Sequence, residues 1–270
     1  MKIHVLASGS AGNCALVEAG GIRLLVDAGL SGSEIERRLA AVGAGASDLA
    51  ALLITHEHAD HVRGAGVLAR RHGLPVYLTR GTLAAEGRHL GELPAVHHIR
   101  PGTPFEVGMV QVHPFSIPHR GQRSGPADPA DPVAYVFRYG GVKAGIATDL
   151  GHYPYHLLVH HLAACHLLVL EFNHDPELLR RCARPEPVKQ WIRGREGHLS
   201  NEEGARLLAD LLRHEQRLEA LVLAHLSEEN NTPALALAAA RGALERFRLH
   251  ERVELRVAGP DTTVTIALRR

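Results

Sequence analysis

The chain has 270 residues, 45% hydrophobic and 22% charged, with a formal net charge of +1. That balance fits a soluble globular protein with ample length for a core. It gives no electrostatic case for a nucleic-acid or membrane surface. The three cysteines, Cys14, Cys165 and Cys182, lack CxxC spacing, which argues against a disulfide framework or a zinc ribbon. Residues 1–6 read straight into a strand with no signal-peptide pattern, and no apolar run reaches membrane-spanning length, so a cytoplasmic location is expected.

Ile3–Ala7, Cys14–Glu18 and Ile22–Asp27 read as strands joined by turns at Gly9/Gly12 and Gly20-Gly21. Ser33–Val42 has a helical pattern with a cap at Ser31 or Ser33. The apolar run Leu49–Ile54 predicts a buried strand, and Ala65–His72 a helix stopped by Gly73 and Pro75. Val76–Leu78 is strand-like and residues 93–118 suggest several short strands. Gly121–Pro132 is a polar, proline-containing loop; Val133–Tyr139 and Val142–Ala147 form a hairpin across Gly140-Gly141. Further on come a helix at Leu157–Ala163, a strand at Leu167–Phe172, and helices at Pro176–Cys182, Pro187–Arg193 and Asn201–His214. Strand Ala220–Ala224, helix Pro233–Phe247 and strands Val253–Val257 and Val264–Leu268 close the chain. Strands interspersed with helices fit a four-layer αββα sandwich of two mixed sheets, an α/β fold. No internal repeat or linker is visible, so residues 1–270 read as a single domain.

The densest chemistry lies directly after the Leu49–Ile54 strand, in Thr55-His56-Glu57-His58-Ala59-Asp60-His61. His56 and His58 are two apart and can share one side of an extended segment, while Asp60 and His61 follow at the turn into a helix. The pattern offers His-x-His to one metal and Asp-His to a second. Imidazole with carboxylate suits Zn²⁺, Mn²⁺ or Fe²⁺. With 20 histidines in the chain, a solvated loop is the bland alternative. The preceding buried strand and the following Gly64 and Gly66, which permit close packing, favour the metal reading. Glu57 tempts a zinc-protease reading, but the histidine spacing and the strand context are wrong for one.

Two metals ~3.5–4 Å apart need more ligands and a bridging carboxylate. Asp149, His119 and His225 each follow an apolar strand, as the dense motif does. Any one of them alone could be a turn residue; together with His56–His61 they complete a two-metal set. The Ser8–Asn13 turn, with Ser8 and Asn13 as candidate contacts, could offer N–H groups to a phosphate, though a plain tight turn reads as well. Asn173, His174 and Asp175 are candidates for contacting substrate or supporting the ligands.

Asp27 in Val26-Asp27-Ala28-Gly29, His56-x-His58-x-Asp60-His61, His119, Asp149 and His225 resemble the motifs of the metallo-β-lactamase superfamily in order and spacing. Residues 8–14, 171–175, 197–202 and 225–233 are similar to its YycJ (WalJ) branch, which is related to ribonuclease Z. The resemblance implies an αββα fold, a dinuclear-metal site (Zn or Mn, or Fe) and phosphodiester hydrolysis by a metal-bridging hydroxide, with DNA exonuclease activity attributed to the branch. It assigns His56, His58 and His119 to one metal and Asp60, His61 and His225 to the other. Asp149 bridges them, and Asp27 lies behind, accepting a hydrogen bond from the metal loop. Asp60 also counts as catalytic, and His198 supplies the leaving group's proton with Glu171 as its carboxylate partner. The branch carries Asp after the third-motif histidine, where this chain has Arg120.

Three functions stay open at this point: a nuclease acting on DNA, a hydrolase of small esters, thioesters or lactams, and a non-catalytic metal-binding regulator. The full ligand set weighs against the third, and the absence of a lactamase-type Cys ligand against the second. Arg63, Arg70, Arg71, Arg120, Arg123 and Arg195 are candidate basic groups for a nucleic acid partner; no membrane or obligate protein partner is inferred. The interval between Asp149 and His225 has no room for the large insertion of the β-CASP nucleases.

Overall fold

The computed structural model describes residues 1–120, 131–151 and 155–268. The first sheet contains β1 (Lys2–Ala7), β2 (Cys14–Ala19), β3 (Ile22–Val26), β4 (Ala51–Leu53), β5 (Pro75–Leu78) and β6 (Ala95–His98). The second holds β7 (Phe105–Val107), β8 (Val110–Ser116), β9 (Val133–Tyr139), β10 (Val142–Ala147), β11 (Leu167–Glu171), β12 (Ala220–Ala224) and β13 (Glu254–Val257). The last strand, β14 (Val264–Ala267), returns to the first sheet beside β1. The sheet orders are β14-β1-β2-β3-β4-β5-β6 and β13-β12-β11-β10-β9-β8-β7. In both sheets three antiparallel pairings give way to three parallel ones, at β3 in the first and β10 in the second.

Side-chain alternation explains the layers. Leu167 and Val169 of β11 enter the core between the sheets, whereas Leu168 and Leu170 face the helices outside. Covered on both faces, β11 and β12 read as unbroken apolar runs, as parallel strands do. The inter-sheet core joins Val17, Leu24 and Leu53 of one sheet to Val112, Tyr135 and Val169 of the other.

Helices α1 (Gly32–Ala41), α2 (Ala59–Val62), α3 (Ala65–His72) and α4 (Arg80–Leu90) belong to the first half. The second half adds α5 (Tyr155–Leu162), α6 (Pro176–Arg181), α7 (Glu186–Ile192), α8 (Asn201–His214) and α9 (Pro233–Arg246). Ser31 caps α1, and Ser200 with Glu203 forms a capping box on α8. The sequence periodicity does not predict α4, whose start is set by the Thr79 hydroxyl accepting the Thr82 amide. Gly64 and Gly66 pack as expected: a Cβ there would lie 2.3 Å from the Leu30 carbonyl oxygen and 2.0 Å from that of Leu90. Among the described residues no helix is long and apolar enough to cross a membrane. The polar loop read at residues 121–132 lies, apart from its last two residues, outside the described residues, and so does Arg123.

Candidate metal centre

The candidate ligands meet where strands of both sheets end. After β4 the chain runs through a bend at Glu57 to His58, which precedes α2, so Asp60 and His61 ride on the first turn of that short helix. Gly29 makes this possible. A Cβ on it would lie 1.6 Å from the Asp60 carbonyl oxygen, and the Asn13 amide donates to the same oxygen at 2.7 Å. Asp27, Asp149 and His225 adopt left-handed backbone angles, φ 59°, 59° and 56°. Non-glycine residues rarely do so, and here each stands within two residues of a strand end, where the bend aims its side chain toward the site.

His56 Nε2 lies 3.0 Å from His58 Nδ1, and His119 Nε2 lies 3.3 Å from that same atom. His61 Nε2 is 3.2 Å from Asp149 and 3.5 Å from Asp60, while His225 Nε2 is 3.7 Å from Asp60. Two triads thereby form, His56-His58-His119 and Asp60-His61-His225, each with its ligand atoms within 4.8 Å of one another. Asp149 approaches both, 3.6 Å from His119 and 3.2 Å from His61.

The far nitrogens are tied down, which fixes the nitrogens that face inward. His61 Nδ1 donates to Asp27 at 2.8 Å, His119 Nδ1 to the Gly197 carbonyl at 3.0 Å and His225 Nδ1 to Glu171 at 3.0 Å. Asp27 also accepts the Thr55 amide and hydroxyl, at 2.8 and 2.9 Å. Arg120 does not disturb His119: its side chain lies 3.3 Å from Glu196 and its carbonyl accepts the Trp191 indole N–H.

Electrostatics fit a divalent cation. Burial pulls His61 and His225 down, but the carboxylates of Asp27, Asp149 and Asp60 outweigh it at His61, holding it well above its usual range. At His225, Asp149, Asp60 and Glu171 raise it to about 10. Burial lowers His56 well below its usual range and His119 to about 3. Burial raises Asp60 and Asp149 too, yet the neighbouring histidines hold both below the carboxylate range. His225 Nε2 and Asp149 Oδ2 are buried without a hydrogen bond. Imidazole lone pairs facing one another across 3.0 Å need a proton or a metal between them, and this donor set could hold the latter.

Glu171, fully buried at the end of β11, accepts four hydrogen bonds: His198 Nδ1 at 2.9 Å, His225 Nδ1 at 3.0 Å, and the amides of Leu150 and Leu199 at 2.8 and 3.1 Å. Burial pushes its carboxyl up, but His198 and His225 outweigh that and hold it down at about 2. It is an ionised acceptor at any working pH.

Of the remaining sequence candidates Ser8, Asn13 and His174 lie behind the cavity. The buried Ser8 hydroxyl accepts the His225 amide at 2.7 Å, and Asn13 Nδ2 lies 3.2 Å from Asp60 and 3.0 Å from His61. Both side chains thus brace ligands and do not line the cavity, which Ser10 of the same turn does. His174 is likewise buried off the cavity, whereas Asn173 lines it. Arg70 spends its guanidinium on the Leu90 and Glu92 carbonyls and Arg71 on Glu36, both away from the site. Sequence reasoning covers Ser10 only as part of the Ser8–Asn13 turn and misses Arg184, Trp191, Ile192 and Ser227, all of which line the cavity. Only the lone tryptophan, seven residues before His198, could have given a signal.

Known proteins place the chain in a family. The profile described as Beta-lactamase superfamily domain matches residues 22–226. Exodeoxyribonuclease YycJ of Bacillus anthracis is 35% identical over 98% of this chain and 99% of its own. Exodeoxyribonuclease WalJ of Streptococcus pneumoniae serotype 2 is 34% identical, covering 98% and 97%. The metallo-β-lactamase fold protein YhfI from Bacillus subtilis superposes with a TM-score of 0.72 at 17% identity, over 97% and 98% of the two chains, which bears on the fold alone. The chain belongs to the metallo-β-lactamase superfamily and is a metal-dependent hydrolase.

Proposed function

We propose that the protein is a dinuclear-metal phosphodiesterase acting as a nuclease on DNA, by removal of nucleotides from an end. The observation that carries the reading is the placement of His198, bonded to Glu171 and 3.7 Å from Asp149, beside the seven-ligand cluster. The near full-length similarity to two exodeoxyribonucleases supports the choice of DNA.

His56, His58 and His119 would hold one divalent ion and Asp60, His61 and His225 another, with Asp149 between them. When bound, such ions supply Lewis acidity to a phosphoryl oxygen and an acidified water. The chain's residues do the rest. Asp27 keeps one proton of His61 on Nδ1, so that Nε2 is the nitrogen that would give up its proton and offer a lone pair to an ion. Glu171 does the same for His225 and His198. With Nδ1–H given to Glu171, His198 can carry its second proton on Nε2 and pass it to the departing sugar oxygen. It then remains a neutral imidazole whose tautomer Glu171 has fixed.

A core shared by both sheets supports residues 1–270 as a single domain, and three free cysteines are consistent with a cytoplasmic setting. The test is purified protein with Mn²⁺ or Zn²⁺ on end-labelled duplex and single-stranded DNA, beside Asp60→Ala and His198→Ala. Release of mononucleotides, lost in both variants, is expected. Cleavage of a thioester or lactam with every DNA left intact would overturn the reading.

A further inference from the structure

The cavity above the ligand cluster, about 200 Å³ in volume, also carries side chains that hydrolysis does not use. Ser10, Asn173, Arg184, Trp191, Ile192 and Ser227 line it beside the candidate ligands. Trp191 is the chain's one tryptophan. Its neighbour Ile192 is buried, at 5% exposure, and serves the packing of α7, whereas Trp191 stays partly exposed. The indole N–H donates to the Arg120 carbonyl at 3.2 Å, which fixes the ring's position. The ring stands 5.4 Å from His198, at 88°, and 6.3 Å from His119. A large aromatic surface is thus held one ring away from both the proposed proton donor and a candidate ligand.

A pinned indole at a phosphodiester site has one chemistry to offer a nucleotide, the stacking of a base, which every base accepts because each has a π-face. The cavity sets the other limit. Its volume is below the ~300–1,000 Å³ of pockets that swallow a drug-sized ligand. Among the described residues a cavity of that size suits one unpaired nucleotide better than a base pair. Arg184 adds a cation to the lining; it lies 2.5 Å from Glu229, with both side chains more than 40% exposed. A guanidinium in that setting keeps N–H groups for a phosphate oxygen.

Resting on the phosphodiesterase reading, we propose that Trp191 is the stacking platform for the base of an unpaired terminal nucleotide, with Arg184 contacting the adjoining phosphate. The site then takes single-stranded or frayed ends, and its preference among bases is weak.

Because Trp191 is the sole tryptophan, the chain's tryptophan fluorescence reports on the surroundings of this one ring. EDTA-treated protein, which cannot cut, is titrated with a deoxyadenylate tetranucleotide and with the same oligomer lacking its terminal base at either end. Quenching by the intact oligomer, and at least tenfold weaker binding of one abasic form, are expected. In the metal-loaded enzyme Trp191→Ala should raise KM for single-stranded DNA on the order of tenfold to a hundredfold, with a smaller change in kcat. Trp191→Phe, which keeps a ring but loses the N–H, should restore most of that loss. Unchanged fluorescence overturns the proposal. So does a Phe variant as poor as the Ala variant, which would assign Trp191 to holding the Arg120 backbone. If wild type cuts no DNA with any metal, the phosphodiesterase reading fails by itself, and the quenching result still decides whether bases stack.

Discussion

The two halves of the molecule run the same strand programme but deliver their chemistry differently. In each, a hairpin turns through two glycines, Gly20-Gly21 or Gly140-Gly141, into a strand followed within two residues by a left-handed aspartate, Asp27 or Asp149. A close-packed glycine follows two residues later in both, Gly29 or Gly151. The next strand in the first half then discharges four candidate ligands in six residues, His56 to His61. The second half spreads its share singly, with His119 after β8, Asp149 after β10 and His225 after β12. The equivalent aspartates have consequently parted. Asp27 is enclosed by Thr55 and His61, whereas Asp149 lines the cavity between the two triads. A shared backbone position sets where a carboxylate is aimed; what lies in front of it sets what it does.

The sharpest way to break that contrast is to neutralise both aspartates. Asp149→Ala should lower turnover by about a thousandfold, the several kcal/mol of a lost charge-stabilising ligand. Asp27→Asn should cost only ~10–100-fold in metal affinity, as a residue orienting a ligand does. Equal losses in activity and metal titration would mean that the two positions are not differentiated. Gly29→Ala and Gly151→Ala probe the shared part. Their Cβ atoms would meet carbonyl oxygens at 1.6 and 1.9 Å, so each should destabilise by at least about 1–3 kcal/mol in denaturant melts.

The hairpins also differ in the second pair from each turn: Glu18 faces Arg23 in the first, and Arg138 faces Lys143 in the second. Burial raises the Glu18 carboxyl, but hydrogen bonds from His4, Arg23 and Lys2 outweigh it and hold it at about 2, below its ordinary value of 4.5. A depressed folded-state value means that this stabilisation is present above pH 4.5 and is lost as pH falls toward 2. Glu18→Gln should therefore cost on the order of 1 kcal/mol at pH 7 by urea unfolding, and progressively less on acidification through that window. A pH-independent difference would rule out the charge as its source. In the second hairpin Arg138→Glu should replace like charges with opposite ones and stabilise by about 0.5 kcal/mol, an effect that high salt should remove.

Much of this was legible in the sequence because the fold places ligands where apolar strands stop. Leu52-Leu53-Ile54 before His56, Ile146-Ala147 before Asp149 and Leu221–Ala224 before His225 all announce a strand end. The correspondence of the two sheets was not, since it resides in pairing direction and backbone angle, and beyond the two hairpins the side chains differ. The cavity wall was hidden for another reason. Ser10, Arg184 and Trp191 sit on a turn, a loop and a short helix whose approach to the ligands is a long-range event. Within the Ser8–Asn13 turn the roles divide, since the Ser8 and Asn13 side chains brace the ligands from behind while Ser10 lines the cavity.

The ligand-rich loop is also gripped from across the sandwich. Tyr135 on β9 donates its hydroxyl to the Ile54 carbonyl at 2.7 Å, and the Val133 amide donates to the carbonyl of Thr55 at 2.9 Å. Both bonds reach from the second sheet to the two residues that precede His56. The seven-residue motif is therefore not a portable metal-binding peptide. Grafted onto another scaffold, or expressed within residues 1–120 alone, it would keep every ligand it contributes and lose the grip that makes them converge.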